Sequence, residues 1–194
     1  MVDPKLIGLN SLESCALLCV VNGTSVATKR GSVPVEELCL GDNVLTRDSG
    51  FQPIVWIGAR RIKTVDERPL VIPSGSYRDV CAERDLLLSP HHRILRYEGA
   101  KSVYTHLEEV LVQAKDVGIA APVRSALVGA WYFHVLFESH QIILANGVWI
   151  ESLMPTQHMI DGLCARNRAS MMQQLPALAT KEGWRYDPVR AFAC

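Results

Sequence analysis

The stretch Trp131-Tyr132-Phe133-His134-Val135-Leu136-Phe137-Glu138-Ser139-His140-Gln141-Ile142-Ile143-Leu144-Ala145-Asn146-Gly147-Val148-Trp149-Ile150 decides the fold class. Trp131–Phe137, Gln141–Ala145 and Val148–Ile150 are short apolar runs rich in aromatic and β-branched residues. That composition and length suit strands rather than helices. Asn146-Gly147 joins the last two runs. Both residues tolerate positive φ, the geometry a two-residue hairpin turn demands.

Upstream the same pattern recurs. Thr24–Thr28 alternates and is turned by Lys29-Arg30-Gly31, and Pro34 holds Val33 extended. Glu36-Glu37-Leu38 reads as a single turn. Asn43–Arg47 and Phe51–Ile57 are joined by Asp48-Ser49-Gly50, a hairpin-type connection. Leu70–Ile72, Leu86–Leu88, Arg93–Tyr97 and Val110–Val112 are further strands. Short strands with turns every ~8–12 residues predict an all-β body. After Pro155 the period changes. Met159, Ile160, Leu163, Cys164 and Met171 fall at helical spacing within Thr156–Gln174. Residues 156–194 are therefore expected to form a helical or irregular tail that packs on the body or on a partner, and residues 1–18 a short leader.

Composition narrows the function classes. The chain has 194 residues, 48% hydrophobic and 21% charged, which suits one globular domain or two small lobes. Twenty basic residues balance twenty acidic ones, and no basic run offers a phosphate-binding stripe, so no nucleic-acid partner is expected. No apolar stretch nears the ~20 residues that span a bilayer. The run Cys15–Val21 makes a poor signal peptide, so the cytoplasm is the default compartment. The six cysteines form no CxxC pair, and at least four are expected to be buried free thiols.

Several residues can carry chemistry. Cys19 heads the first strand beside an Asn-Gly-Thr turn. It is either a small core residue or a nucleophile; in the second case it needs a base, an acid and an oxyanion donor. Ser89-Pro90-His91-His92 sits in a turn between two apolar strands, stiffened by Pro90. Ser89 and His92 either bind a carbonyl and deliver a proton, or cap the turn at the surface, with His91 the more solvent-facing of the two imidazoles. His134 and His140 are six residues apart and would share a face of one straight strand. A metal reading would gather His91, His92, His134 and His140 with a cysteine, but no ligand spacing such as HExxH is present, and neither metal nor cofactor is expected. Trp56, Trp131 and Trp149 read as core, and Arg60-Arg61 as a solvated strand end.

Together these stretches resemble the Hint (hedgehog/intein) family, more closely its bacterial intein-like branch, over Cys19 to Pro155. Cys19–Thr28, Gly31–Glu36 and Leu40–Val44 are similar to the family's N-terminal block, whose first residue is the cysteine. Gly50–Ile54 and Trp56–Gly58 look like the segment that follows. Ser89-Pro90-His91-His92 matches the Thr-x-x-His block with Ser for Thr, and residues 131–150 match the penultimate hairpin block, with His140 at its histidine and His134 near a position often held by Asp. The resemblance implies an all-β Hint-type compact horseshoe of short strands. It also implies autocatalytic N-to-S acyl shift at Leu18–Cys19 through a thioester, with the chain's own N-terminal segment as substrate in cis. Cys19, Ser89, His92, His134 and His140 are the implied catalytic residues. Inteins end in His-Asn, whereas here Glu151-Ser152 stand at those positions, so N-terminal cleavage without splicing is implied. The alternative is an inert Hint-fold scaffold or interaction module.

Overall fold

The computed structural model describes residues 18–77, 80–98, 108–122, 127, 129–161, 163, 165–176 and 186–193. The expected leader, apart from Leu18, lies outside the described residues, as do Cys15, Cys164 and Cys194.

The architecture is all-β, in two main sheets. The first has six strands in the order Ala121–Pro122, Leu70–Ile72, Leu86–Leu88, Val20–Val21, Trp131–Leu136, Trp56–Arg61. The second runs Ala191–Phe192, Glu108–Gln113, Arg93–Glu98, Val148–Glu151, Ile142–Ala145, Ser25–Thr28, Asn43–Thr46, Gly50–Pro53, with Gly31–Pro34 paired to Ser25–Thr28. Gly75–Tyr77 and Val80–Ala82 form a small separate ladder. The Asn146-Gly147 hairpin forms as read, with φ of 46° and 82°. A Cβ on Gly147 would sit 3.0 Å from the Cys81 carbonyl oxygen, so both its conformation and its lack of side chain are used. Asn146 also ties the hairpin down: Oδ1 accepts the Ser25 N–H at 2.8 Å, and Nδ2 donates to the Asp85 carbonyl at 2.9 Å.

The two faces of the six-stranded sheet go to different cores, as the period of two requires. Val20, Leu86, Leu88, Phe133 and Val135 join Val26, Val44, Ile143 and Ile150 of the second sheet in the main core. Cys19, Val21, Trp56, Tyr132 and Leu136 face the other way and are covered by Leu153, Met159, Ile160, Leu163, Met171 and Leu175. The helices Gln157–Asp161 and Ala165–Gln174 thus lie over the face that carries Cys19. The tail is partly helical and packs on the body. Its last described segment, Ala191–Phe192, adds a parallel edge strand beside Val110 and Leu111.

Three expectations are corrected. The run Phe51–Ile57 is two strands: the Ile54 N–H bonds to the Asp42 carbonyl in one sheet, and the Val55 N–H to the Leu136 carbonyl in the other, so the chain changes sheets there. Cys39 and Cys81 are exposed rather than buried, since Cys39 lies in a turn and Cys81 on the outward side of its strand. Trp56 is core, but Trp131 and Trp149 are only half-buried, with Arg61 and Arg47 guanidinium groups 5.9 and 5.5 Å from their rings. Among the described residues no helix is long and apolar enough to cross a membrane.

Candidate active site

Sheet register assembles the site. Val20 stands opposite Leu88 on one side and Phe133 on the other. One residue earlier, Cys19 therefore falls between Ser89 and His134, and directly opposed residues on antiparallel neighbours point to one face. The contacts follow. The Ser89 N–H donates to the Cys19 carbonyl at 3.0 Å, and the Cys19 N–H donates back to Ser89 Oγ at 3.1 Å. His134 Nε2 lies 3.5 Å from Cys19 Sγ, and its Nδ1 lies 2.9 Å from the Leu18 carbonyl oxygen.

The Leu18 contact fixes the His134 tautomer. A carbonyl only accepts, so Nδ1 carries the proton and Nε2 offers its lone pair to the thiol. One imidazole thus touches both the sulfur and the carbonyl of the bond that precedes it. Cys19 has no exposed surface and His134 is buried. Burial pushes the thiol up to about 12, against the charge and hydrogen bond of Arg60 and a hydrogen bond from Ser89. Burial also pushes His134 down to about 4, against its bond to Leu18. At neutral pH the pair is an uncharged thiol beside an uncharged imidazole.

His92 is buried rather than at the surface. Nδ1 lies 3.1 Å from the Cys19 carbonyl oxygen and Nε2 3.1 Å from that of Glu151. Two carbonyls face a ring that, when neutral, has one N–H, so a second proton would find an acceptor waiting. Burial nevertheless lowers its pKa, with the Glu151 charge and the two carbonyls opposing. His91 is half-buried, its Nδ1 2.9 Å from Gln113 Oε1.

His140 does not share a straight strand with His134. That strand ends at Leu136, and the chain then passes to the second sheet. His140 Nδ1 accepts the Val189 N–H at 3.1 Å, and its Nε2 points at Glu151 Oε2, 3.7 Å away. Glu151 is buried, accepts the Arg93 N–H at 2.7 Å, and pairs with the Arg93 guanidinium at 3.3 Å.

Arg60 is the residue that sequence reasoning placed wrongly. It stands opposite Tyr132, on the face that carries His134, with its guanidinium 4.9 Å from the Tyr132 ring centroid. Glu67, brought back by the turn Val65–Glu67, accepts from its Nη1 at 2.7 Å. The signal available was alternation: Trp56, Gly58 and Arg60 share one face, and Trp56 was read as core. Gly58 is required there, because a Cβ would lie 2.1 Å from the Trp56 ring. Among the described residues no group of three His, Cys, Asp or Glu is disposed to hold a metal ion.

A cysteine thus heads a central strand, its preceding carbonyl held by a buried histidine, within two all-β sheets. The chain belongs to the Hint domain family, whose model Hint_2 matches residues 18–157. Among solved structures it is similar to a splice-inactive variant of the AceL NrdHF class 3 split intein, with 12% identity over 71% of this chain and 99% of that one, and a TM-score of 0.44. It is similar to the MchDnaB-1 intein, with 14% identity over 69% and 98% and a TM-score of 0.42. It is also similar to the bacterial intein-like domain from Clostridium thermocellum, with 16% identity over 69% and 98% and a TM-score of 0.39. No curated protein matches at the sequence level.

Proposed function

We propose that this Hint domain activates its own Leu18–Cys19 peptide bond, converting it to a thioester that a nucleophile then cleaves, without splicing. The observation that carries the reading is the double contact of His134, with Nε2 at 3.5 Å from Cys19 Sγ and Nδ1 at 2.9 Å from the Leu18 oxygen. In the first step Cys19 Sγ attacks the Leu18 carbonyl carbon and its proton passes to His134 Nε2. The imidazolium so formed donates through Nδ1 to the developing oxyanion, in a water-poor site where such a bond is strongest. Arg60 supplies positive charge to the same thiol.

In the second step the Leu18–Cys19 C–N bond breaks. The nitrogen, whose N–H rests on Ser89 Oγ, takes a proton with Ser89 as its hydrogen-bonding partner and the imidazolium form of His92 as the acid, a form the two facing carbonyls favour. His134 then releases its proton as His92 regains one, so the net change is one proton from sulfur to nitrogen. A thioester lies uphill of an amide, so water or a thiol must draw it forward. The absence of a terminal Asn, with Glu151-Ser152 in its place, supports cleavage on the N-terminal side alone. The test is N-terminal sequencing of protein carrying a C-terminal tag after incubation with dithiothreitol. Cys19 as the new first residue supports the reading. An intact chain favours the inert scaffold.

A further inference from the structure

We propose that Tyr186–Phe192 is a positioning element of this active site, acting through His140 and Glu151 on His92. The proposal rests on the self-cleavage reading above. The segment lies beyond the family match, which ends at residue 157. It nevertheless reaches a buried histidine, His140, through the main-chain N–H of Val189 at 3.1 Å. Its anchors flank that contact. The Tyr186 hydroxyl donates to the Phe137 carbonyl at 3.0 Å, Arg190 pairs with Asp48 at 2.6 Å and with Glu109, and the Arg93 guanidinium stacks 4.0 Å over the Phe192 ring.

The consequence follows from tautomer chemistry. With Nδ1 accepting from Val189, neutral His140 carries its proton on Nε2, the nitrogen that faces Glu151 Oε2. Without the Val189 donor, Nδ1 becomes a buried acceptor with that hydrogen bond lost, and the ring is released to turn, carrying its Nε2–H away from the buried carboxylate. Glu151 is the hinge of the arrangement: its side chain holds Arg93 and its carbonyl takes His92 Nε2, while His92 Nδ1 meets the Cys19 carbonyl. A shift at Glu151 therefore loosens the imidazole that sits on the reacting residue. A main-chain donor leaves no side-chain signature, which is why residues 186–193 carry no motif for this role.

The test is Val189→Pro in the full chain, which removes the N–H. Two quantities are read: the cleavage rate, and the imidazole nitrogen signals of His140 and His92 in long-range proton–nitrogen NMR. The account expects the His140 Nδ1 signal to shift as it loses its donor, His92 signals to move, and cleavage to slow about tenfold, the order expected for one buried hydrogen bond. If Val189→Pro does not fold, the Arg190→Ala, Phe192→Ala double variant loosens the same segment and is read in the same way. Unchanged His92 signals in a folded variant overturn the proposal. If wild type does not cleave but His92 still responds, the self-cleavage reading fails while the positioning link stands.

Discussion

Two buried histidines of one hairpin block face different tasks. His134 touches a thiol and the carbonyl beside it, and Arg60 directs a positive charge at that thiol. His140, on the far side of the sheet crossing, meets a carboxylate already paired with Arg93 and a main-chain N–H. The first arrangement sets reacting atoms next to a lone pair; in the second, His140 Nε2 faces the Glu151 carboxylate at 3.7 Å, beyond hydrogen-bond length. On the proposed reading the N-terminal side of the domain activates a bond, while Glu151, on the other side, stands in a buried ion-pair cluster.

That contrast is easiest to break at its strongest point. Cys19→Ala should abolish cleavage, and His134→Ala, which removes base and oxyanion donor together, should slow it ~10³-fold or more by intact-mass time courses. If His140→Ala were as damaging as His134→Ala, the two histidines would not differ in role. Ser89→Ala and His92→Ala should each cost about 10²-fold, because each acts on the backbone of Cys19 and neither takes the proton from its sulfur.

Acid sharpens the comparison. His134 works as a base only when neutral, and burial holds it down to about 4. Because His92, also lowered by burial, must carry a second proton to act as the acid, the cleavage rate should rise as pH falls from neutral and then drop as pH passes through about 4, where His134 is lost as a base. The same depression acts on stability. His134 and His92 both have folded pKa values below the ordinary ~6.5 of an unfolded histidine. The unfolded chain therefore binds more protons as pH falls below ~6.5, and stability that is complete above that pH is lost toward 4. A urea midpoint that does not move between pH 7 and pH 5 contradicts this burial.

The smallest effect on cleavage, and the largest on stability, belongs to the support side. Arg93→Ala leaves the buried Glu151 carboxylate without its cation and should cost about 3–5 kcal/mol in urea unfolding. Equal stability of that variant would contradict a supporting role for the Arg93–Glu151 pair.

The strands were legible because period-two alternation and Gly-containing turns are local signals. Asn146-Gly147, Leu86–Leu88 and Leu70–Ile72 fall where they were read. Val20–Val21 was not, since two residues show no period, yet it is the strand that sets Cys19 between Ser89 and His134. The sheet crossing at Ile54-Val55 was also invisible, because an apolar run reads the same whether it serves one sheet or two; the polar break Phe137–Gln141 was visible, but a break does not say that the chain changes sheets there. The second crossing separates His134 from His140. The residues of the candidate site could be named from resemblance, but their pairing could not. That His92 rests on a carbonyl, that His134 meets the sulfur and that Arg60 turns inward depend on register, a long-range property.

The most direct measurement is trapping with hydroxylamine, followed by mass analysis of both fragments. The account predicts a C-terminal fragment that begins at Cys19 and a released segment that ends in a hydroxamate on Leu18, with neither formed by Cys19→Ala. An uncut chain, or a cut at any other bond, contradicts it.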